Sequence, residues 1–401
     1  MRVLLVGGTW TEAEPMNPEI ERRSSLVDIA NVAIKNYCEV NFGEDYDVDM
    51  YNGGCYYYLN SILDKASNYD VVFWWANIPD NNLPKIRDVK AVAPHTMLVT
   101  SKRNDGDKYT FMELTQRALH IKANLFFEFK KTGDKLFHIN VFDPLGCHWY
   151  GGTNITDAMN SALSRLTYLK SVTRQKTIQS NIPKVDIFNS VFTKDNAVVH
   201  SDNVIAIPNE SEFIEIVKKH AETFYTIFNP GKDVKRFLGN ASLRAQLNID
   251  STRCMRGMPS FKKDNMIFVS QRNIDKQFIS LENFVPCYID NNKLYYCGEN
   301  KPSVDAPIQI RLYDALPNIN YIIHSHCYID GAISTHKTIP CGALEEVDEI
   351  ISLIDSTYGL RNLNYYAINL KGHGSLLMAN SANLMHDVQY IGRTLPEIMW
   401  S

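Results

Sequence analysis

The first 170 residues alternate between short apolar runs and longer amphipathic stretches. Four apolar runs predict buried strands, at 2–6, 46–51, 70–75 and 96–100. Amphipathic spacing predicts three helices, near 23–37, 56–66 and 111–122. Two further runs, 125–129 and 137–142, predict a hairpin. Because strands that alternate with helices are typical of a parallel sheet, we predict a doubly wound α/β domain over 1–170, flavodoxin-like or Rossmann-like.

The pattern loses this alternation further along the chain. Residues 171–208 mix polar and apolar stretches between proline breakers, and their strand-like runs predict a structured connection. An amphipathic stretch then predicts a helix that is capped by Asn209 or Ser211 and ends near Phe228. We therefore expect a second domain over 209–401.

Turn-forming and polar residues follow the predicted N-terminal strands. The groups are Gly7-Gly8-Thr9, Asn52-Gly53-Gly54 and Ser101-Lys102-Arg103-Asn104. Parallel sheets of this kind bind ligands at the carboxyl ends of their strands. We therefore predict a nucleotide or phosphate site whose candidate cofactor-binding residues are Gly7, Gly8, Thr9 and Lys102. The glycine motif is incomplete, and a strand-to-helix turn requires glycine for its own geometry, so a purely structural role remains the alternative.

Composition and charge narrow the function classes. At 401 residues the chain exceeds the usual size of one core, and its 45% hydrophobic and 21% charged residues are typical of a globular protein. A formal charge of −4 argues against broad binding to nucleic acid. The eight cysteines form no Cys-x-x-Cys pair, and no apolar run approaches the ~20 residues that cross a bilayer. We expect a cytoplasmic protein without a membrane segment.

Three histidines carry the clearest chemical signal. His324 and His326 end the apolar run at 321–323, and residues i and i+2 of a strand point to the same face. His373 follows a second apolar strand at 365–370 and lies between two glycines, which let the backbone approach closely. Neutral imidazoles are common zinc ligands, and a catalytic zinc takes three protein ligands and keeps one open position. On this pattern alone, ordinary strand histidines remain the alternative.

The motifs around these histidines resemble those of the class II aldolase/adducin family over about residues 205–395. In chain order they are Gly239-Asn240-Ala241-Ser242-Leu243-Arg244, Lys301-Pro302-Ser303-Val304-Asp305-Ala306-Pro307, Leu312-Tyr313, Leu316-Pro317, His324-Ser325-His326, Ile339-Pro340-Cys341 and Gly372-His373-Gly374. The resemblance implies an α/β/α second domain that binds Zn²⁺, or another divalent metal, through His324, His326 and His373. Family members assemble as ring-shaped tetramers, so the resemblance also implies a homo-oligomer.

The resemblance implies roles for further residues. The family places an acidic residue after Pro-Ser, and by position this acid is Asp305, in a context similar to the ribulose-phosphate 4-epimerase branch. In the family this acid completes the metal site or acts in proton transfer, so the resemblance implies a catalytic role for Asp305. The alternative is that Asp305 is the N-cap of a helix that we predict at 306–315. The implied substrate-binding residues at the anionic end are Asn240, Ser303 and Arg272. The alternative for Asn240 is that it only stabilises a turn.

One departure from the family pattern concerns the segment between His326 and Ile339. It is shorter than in typical sugar-phosphate members, and the missing stretch usually carries an acid/base tyrosine or aspartate. Tyr328 and His336 are the candidate catalytic residues that replace it, together with Asp330. A neighbouring subunit or the N-terminal domain is the other source of such a group, and a surface loop is the alternative place for His336.

We therefore predict a zinc-dependent aldolase or sugar-phosphate 4-epimerase that acts on a sugar or sugar phosphate through a metal-stabilised enediolate. Two hypotheses from other classes stay open. The first is a nucleotide- or nucleoside-processing enzyme whose main activity lies in the N-terminal domain. The second is a non-catalytic, adducin-like interaction module, although a scaffold has no reason to keep a complete metal-binding set.

Overall fold

The structure is a computed structural model that describes most of the 401-residue chain. The described residues are 1–11, 23–55, 64–76, 93, 95–133, 136–144, 147–180, 199–201, 210–224, 226–229, 234–244, 266–290, 293–297, 300–339 and 342–392. The chain divides into two compact units. Unit 1 contains Met1–Ile187 and Asn229–Val234, and unit 2 contains Phe188–Phe228 and Lys235–Met399. The domain boundaries at 170 and 208 stay a prediction.

Among the described residues, a seven-stranded sheet forms the centre of unit 1. Its strands are β1 (Arg2–Thr11), β2 (Asp47–Cys55), β3 (Val71–Trp74), β4 (Met97–Asn104), β5 (Leu125–Lys131), β6 (Phe137–Phe142) and β7 (His148–Gly152). The spatial order is β2-β1-β3-β4-β5-β6-β7, with parallel pairing from β2 to β5 and antiparallel pairing beyond. The order 2-1-3-4-5 is that of flavodoxin-like sheets, so the predicted doubly wound fold is confirmed. The predicted hairpin, β5 with β6, is also confirmed.

Three helices of the described chain lie in unit 1, namely α1 (Ser25–Phe42), α2 (Phe111–His120) and α3 (Ile155–Ser180). α2 begins at a capping box, in which Glu113 N donates to Thr110 Oγ1 and Thr110 N donates to the Glu113 carboxylate. The hydrophobic pattern did not predict α3. Its buried face includes Ala158 and Ala162, whose small side chains weaken the periodic hydrophobic signal.

The end of β1 corrects one prediction. Gly7, Gly8 and Thr9 were expected to form a loop, but they lie inside β1, which stays paired with β2 across a register shift between Gly7 and Trp10. A Cβ at Gly7 would lie 2.3 Å from Val27 Cγ2 of α1, so glycine permits the close packing of strand and helix here. Gly8 has a φ of +83°, which favours glycine. The motif is therefore a bulged continuation of the strand.

The remaining described strands, in chain order, are β8 (Val199–Ser201), β9 (Thr226–Asn229), β10 (Val234–Phe237), β11 (Asn240–Arg244), β12 (Ile267–Ser270), β13 (Phe284–Asp290), β14 (Lys293–Cys297), β15 (Tyr321–Ser325), β16 (Tyr328–Ile329), β17 (Ile333–Ser334), β18 (Tyr365–Leu370), β19 (Gly374–Ala379) and β20 (Tyr390–Gly392). Nine of these described strands form one sheet in the order β17-β18-β19-β15-β11-β12-β13-β14-β8. From β18 to β14 neighbouring strands pair antiparallel. Two short pairs lie outside this sheet, β9 with β10 and β16 with β20.

The described helices of unit 2 are α4 (Ser211–Lys219), α5 (Ala306–Ala315) and α6 (Glu345–Ser356). The helix that was predicted to continue to about Phe228 instead ends at Lys219, because a 3₁₀ turn at Ala221–Phe224 and then β9 follow it. Its N-cap position is Glu210, one residue before Ser211. The predicted helix at 306–315 is confirmed as α5, with Pro307 in its first turn.

Parts of several predictions lie outside the described residues. They include most of the predicted helix at 56–66, most of the connection at 171–208, and Pro340-Cys341. The described ends of the connection are the last residues of α3 and the strand β8. No described helix combines the length and the apolar character that a membrane crossing requires.

Candidate metal centre

Three buried imidazoles meet beside the central strands of the sheet in unit 2. β15 carries His324 and leads directly to His326, while His373 lies in the turn between β18 and β19. Because Ser325 of β15 pairs with Ser375 of β19, the turn that carries His373 lies beside the end of β15. The candidate ligand atoms of the three histidines all lie within 4.8 Å of one another. The structure therefore brings together the three histidines that were predicted as metal ligands.

The hydrogen bond of His324 defines its tautomer. Its Nδ1 lies 3.1 Å from the carbonyl oxygen of Ser375, and a carbonyl only accepts, so Nδ1 carries the proton. Nε2 is buried and has no hydrogen-bond partner among the described residues. Burial above all, and also the charges of His373 and Lys276, hold the pKa of His324 well below its usual value. A neutral, buried imidazole whose second nitrogen keeps its lone pair fits the requirements of a metal ligand.

His373 is oriented by a carboxylate. Its Nδ1 lies 2.8 Å from Oε1 of Glu346, a buried residue in the first turn of α6. When Nδ1 donates to this carboxylate, Nε2 is the nitrogen that can bind a metal. Carboxylate–histidine pairs of this kind fix the ring and increase its basicity at many metal sites.

Two glycines allow the backbone to close around the histidines. Gly374 has a φ of +134°, and a Cβ there would lie 2.1 Å from Ser325 O and 2.8 Å from His326 Cα. Gly239 has a φ of +73°, and a Cβ there would lie 2.6 Å from His324 O. Both contacts are with backbone atoms that cannot move aside, so neither position has room for a larger residue.

Gly374→Ala should therefore destabilise the protein by about 3 kcal/mol or more, because it adds a backbone clash to an unfavourable φ. Denaturant unfolding of metal-free protein measures this cost. Gly331→Ala is the matched control, since Gly331 has a φ of +67° but nothing within 4 Å of the added Cβ. The control should lose only about 1 kcal/mol. Equal losses in the two variants would contradict the close approach at Gly374.

A second buried group lies near the histidines. The Asp305 carboxylate accepts a hydrogen bond of 2.7 Å from Nδ2 of Asn240, and Gln309 Nε2 donates to Oδ1 of the same Asn240. All three residues are buried. Asp305 occupies the N-cap position of α5, but its side chain makes no capping hydrogen bond. The carboxylate is thus held by Asn240 and does not serve the helix terminus.

The electrostatic surroundings of Asp305 suit proton transfer. Burial above all, and also the negative charge of Glu346, raise its pKa, whereas the charges of His373 and Arg272 and the hydrogen bond from Asn240 lower it. The net result is a pKa of about 6. A carboxyl group with such a pKa changes its protonation state close to neutral pH, which is the condition for efficient general acid–base catalysis. These mutual effects also mean that Asp305 and the histidine cluster share one electrostatic environment.

The predicted substrate-binding residues lie around this carboxylate. Ser303 is buried, and its Oγ accepts a hydrogen bond of 3.4 Å from Asp305 N. Backbone pairing joins Ser303 N to Ser270 O at 3.0 Å and Arg272 N to Lys301 O at 2.8 Å, so these two segments run side by side. The side chain of Arg272 is exposed, and its charge lowers the pKa of Asp305. The roles of Asn240, Ser303 and Arg272 in substrate binding stay predictions.

Tyr328 and His336 occupy different surroundings. Tyr328 is fully buried in β16, whereas His336 is exposed in the loop that follows β17. The loop is held by Glu349 of α6, whose Oε1 accepts hydrogen bonds from His336 N at 2.9 Å and Lys337 N at 3.1 Å. Catalytic roles for Tyr328 and His336 stay predictions.

The predicted cofactor-binding residues of the N-terminal half lie in one sheet. Gly7, Gly8 and Thr9 are in β1, and Lys102 is in β4, two strands away in the sheet order. Lys102 Nζ lies 5.1 Å from the ring centroid of Tyr109. Gly7 has a packing role against α1, as described above. A nucleotide or phosphate site at these residues stays a prediction.

Residues 220–385 match the family model described as the Class II Aldolase and Adducin N-terminal domain. Unit 2 thus contains a class II aldolase/adducin domain. The matched range of this aldolase/adducin domain includes the three clustered histidines, Asp305 and Asn240. No curated protein matches the sequence.

Several solved structures are similar to parts of this chain. The DNA/pantothenate metabolism flavoprotein from Streptococcus pneumoniae has 11% identity and a TM-score of 0.33, with 42% of this chain and 98% of that chain covered. The C-terminal domain of the coenzyme A biosynthesis bifunctional protein CoaBC has 13% identity and a TM-score of 0.31, with 42% and 96% covered. An aldolase II superfamily protein from Pseudomonas syringae has 12% identity and a TM-score of 0.26, with 44% and 69% covered.

Two charged residues of the aldolase/adducin domain were not predicted from the sequence. Glu346 holds His373, and Lys276 is a buried lysine whose charge acts on His324 and Asp305. Both are surrounded in sequence by other polar residues, as surface residues usually are. The only available signal for Glu346 was its place in the first turn of an amphipathic helix, and nothing in the sequence marked Lys276.

Glu346→Gln should weaken metal binding by about 10- to 100-fold, because a neutral amide increases the basicity of His373 less than a carboxylate does. Competition with a chelator of known affinity measures this change directly. Asp348→Asn removes the same charge from an exposed position of the same helix and should leave the affinity unchanged. Wild-type metal affinity in Glu346→Gln would show that the pair does not support a metal ligand.

Proposed function

We propose that the aldolase/adducin domain is a zinc-dependent enzyme of the aldolase or 4-epimerase type that acts on a sugar or sugar phosphate. The observation that supports this proposal most strongly is the convergence of three buried imidazoles near a buried carboxylate, Asp305. The imidazoles suit a divalent metal with an open position, and the carboxylate suits proton transfer. Together they provide the two components that reversible carbon–carbon bond cleavage requires.

His324, His326 and His373 would hold the metal. A set of three imidazoles favours zinc over magnesium or calcium, which prefer oxygen ligands. The bound ion would supply Lewis-acid stabilisation, worth several kcal/mol, of the negative charge that develops on substrate oxygens. Glu346 and the Ser375 carbonyl keep two of these rings in the required tautomer.

Asp305 would move the proton. In the cleavage direction its carboxylate takes the proton of the hydroxyl beside the carbon–carbon bond that breaks, and the electron pair of that bond moves towards the substrate carbonyl. In the reverse direction the carboxylic acid returns the proton as the bond re-forms. Re-formation on the other face of the aldehyde yields the 4-epimer, and release of the aldehyde yields aldolase products. Asn240 keeps the carboxylate in place throughout.

A non-catalytic, adducin-like module is less consistent with this site. A scaffold gains nothing from an imidazole such as His324, which is buried with an Nε2 that lacks a hydrogen-bond partner among the described residues. Leaving such a group buried costs about 1–3 kcal/mol. A function that recovers this cost, such as metal binding, explains its presence.

Incubation of the purified protein with pentulose phosphates tests the proposed function. Aldolase chemistry should release a free aldehyde together with a dihydroxyacetone or glycolaldehyde fragment, and epimerase chemistry should give a stereoisomer without fragments. Nuclear magnetic resonance distinguishes these products, and chelator-treated protein is the control. Solvent-deuterium incorporation without cleavage would indicate dehydratase or isomerase chemistry instead. A metal-loaded protein that changes none of these substrates would contradict the proposal.

A further inference from the structure

Lys276 is a buried lysine for which the proposed chemistry has no use. It begins a short 3₁₀ helix, Lys276–Phe278, and is only 2% exposed. Lysine is almost never fully buried unless an anion compensates its charge. Within the described part of the chain, no carboxylate oxygen lies within 4.0 Å of its Nζ. The described residues therefore give the protonated form of Lys276 no direct counter-ion.

The contacts of Lys276 use only part of its hydrogen-bonding capacity. Nζ donates to Leu238 O at 3.3 Å and to Phe237 O at 3.5 Å, and it lies 5.5 Å from the ring centroid of Phe224. An ammonium group has three N–H donors. The third has no acceptor among the described residues. Neutral carbonyls and an aromatic ring stabilise a cation, but they do not neutralise it.

The position of this ammonium relates it to the candidate site. The two carbonyls belong to the residues directly before Gly239 and Asn240, and Asn240 holds the Asp305 carboxylate. The charge of Lys276 acts on His324, and the charge of Asp305 acts on Lys276. The ammonium thus lies beside the turn that supports the site, within electrostatic range of both the metal-binding cluster and the proton-transferring group.

We propose that Lys276 binds an oxyanion of the substrate, a phosphate or a carboxylate, through its third N–H. This inference rests on the proposed function of the same site. An oxyanion supplies both the missing acceptor and the missing negative charge, and charge-assisted hydrogen bonds are the strongest that lysine makes. Asn240 and Ser303, which are close in the structure to the same turn and carboxylate, would bind the same end of the substrate. The internal alternative is that Asp305 alone provides the counter-charge, without any substrate anion.

Isothermal titration of the full-length, zinc-loaded protein tests the proposal, with sulfate as a tetrahedral probe and malonate as a carboxylate probe. Lys276→Met should lower the affinity for the preferred probe by about 10- to 100-fold, the usual effect of losing a hydrogen bond to a charged group. The control Lys218→Met removes a lysine that pairs with Glu215 on the surface of α4 and should bind like the wild type. The probe that binds more tightly identifies the anion as phosphate-like or carboxylate-like.

Metal content, measured on the same samples, separates this inference from the proposed function. The role of Lys276 is overturned if the zinc-loaded wild type binds neither probe, or if the wild type and Lys276→Met bind both probes equally well. Either result leaves the metal site intact. Protein that binds no zinc instead contradicts the proposed function.

A wild-type measurement covers the case in which Lys276→Met does not fold. Burial lowers the pKa of Lys276 to about 7, against the opposing charges of Asp275 and Asp305. Sulfate stays a dianion above neutral pH, so its affinity should fall between pH 7 and pH 9 as the lysine loses its proton, by up to tenfold per pH unit. The elements that pack against Lys276 carry other titratable groups, namely Glu212, Glu215, Lys218, Lys219, His220 and Glu222. A sulfate affinity that is independent of pH over this range contradicts the proposal.

Discussion

Replacing His324 and His326 together by alanine should remove the metal from the protein, whereas the wild type should carry about one zinc ion per chain. Two of the three clustered imidazoles are lost in this variant, and the single remaining histidine cannot hold a divalent ion tightly. Elemental analysis of protein dialysed against metal-free buffer measures the occupancy. The expected result is a decrease from near-stoichiometric zinc to background.

Two further measurements make this experiment specific. His386→Ala is the control, because His386 is an exposed histidine of the same unit that contacts Asp387. It should retain the full metal content. Circular dichroism should show that the double variant keeps its secondary structure, since the strands β15 and β19 pair through backbone atoms. Full zinc occupancy in a folded double variant would contradict the assignment of the metal site.

Asp305→Asn should lower the turnover rate by about 10²- to 10⁴-fold, the usual contribution of a residue that transfers a proton. Asparagine has the same shape and can still accept the hydrogen bond from Asn240, so zinc content should be unchanged and KM should change little. Steady-state kinetics with the substrate identified among the pentulose phosphates provides the measurement. Asp314→Asn, at an exposed position of α5, is the control.

The pH dependence gives this prediction a second readout. As a general base, Asp305 acts in its ionised form, and burial raises its pKa to about 6. The wild-type rate should therefore fall as the pH decreases through about 6, because the carboxylate becomes protonated. This decrease should be absent in Asp305→Asn. Wild-type rates in the variant would exclude the acid/base role.

Local patterns predicted much of the fold. The alternation of apolar runs and amphipathic stretches indicated the parallel sheet of unit 1, and α5 has the predicted bounds, because both signals lie within short stretches of sequence. The predictions were wrong where the same residue types occur in two different local structures. Glycines occur both in turns and in bulged strands, so Gly7-Gly8-Thr9 was assigned to a loop although β2 keeps that segment paired.

The candidate site shows more clearly that local sequence patterns do not predict long-range contacts. His324 and His326 were recognised because a spacing of two places both rings on one face of a strand, and that property is local. Glu346 lies 27 residues from His373 in sequence, and its role depends on how α6 packs against the turn before β19. Lys276 has no local signature either, since its burial arises from α4 and the turn at 237–239. Tertiary packing therefore defines the partners of the candidate ligands, although the sequence pattern indicates the candidate ligands themselves.

The two buried glutamates of α6 couple two parts of the site mechanically. Glu346 holds the ring of His373, and Glu349, one helical turn later, holds the backbone of His336 and Lys337. A displacement of this loop must either break its bonds to Glu349 or move α6 and thereby disturb His373, a proposed metal ligand. The loop and His373 therefore share one support, so we expect that a movement of the loop that keeps both bonds to Glu349 also shifts the imidazole of His373.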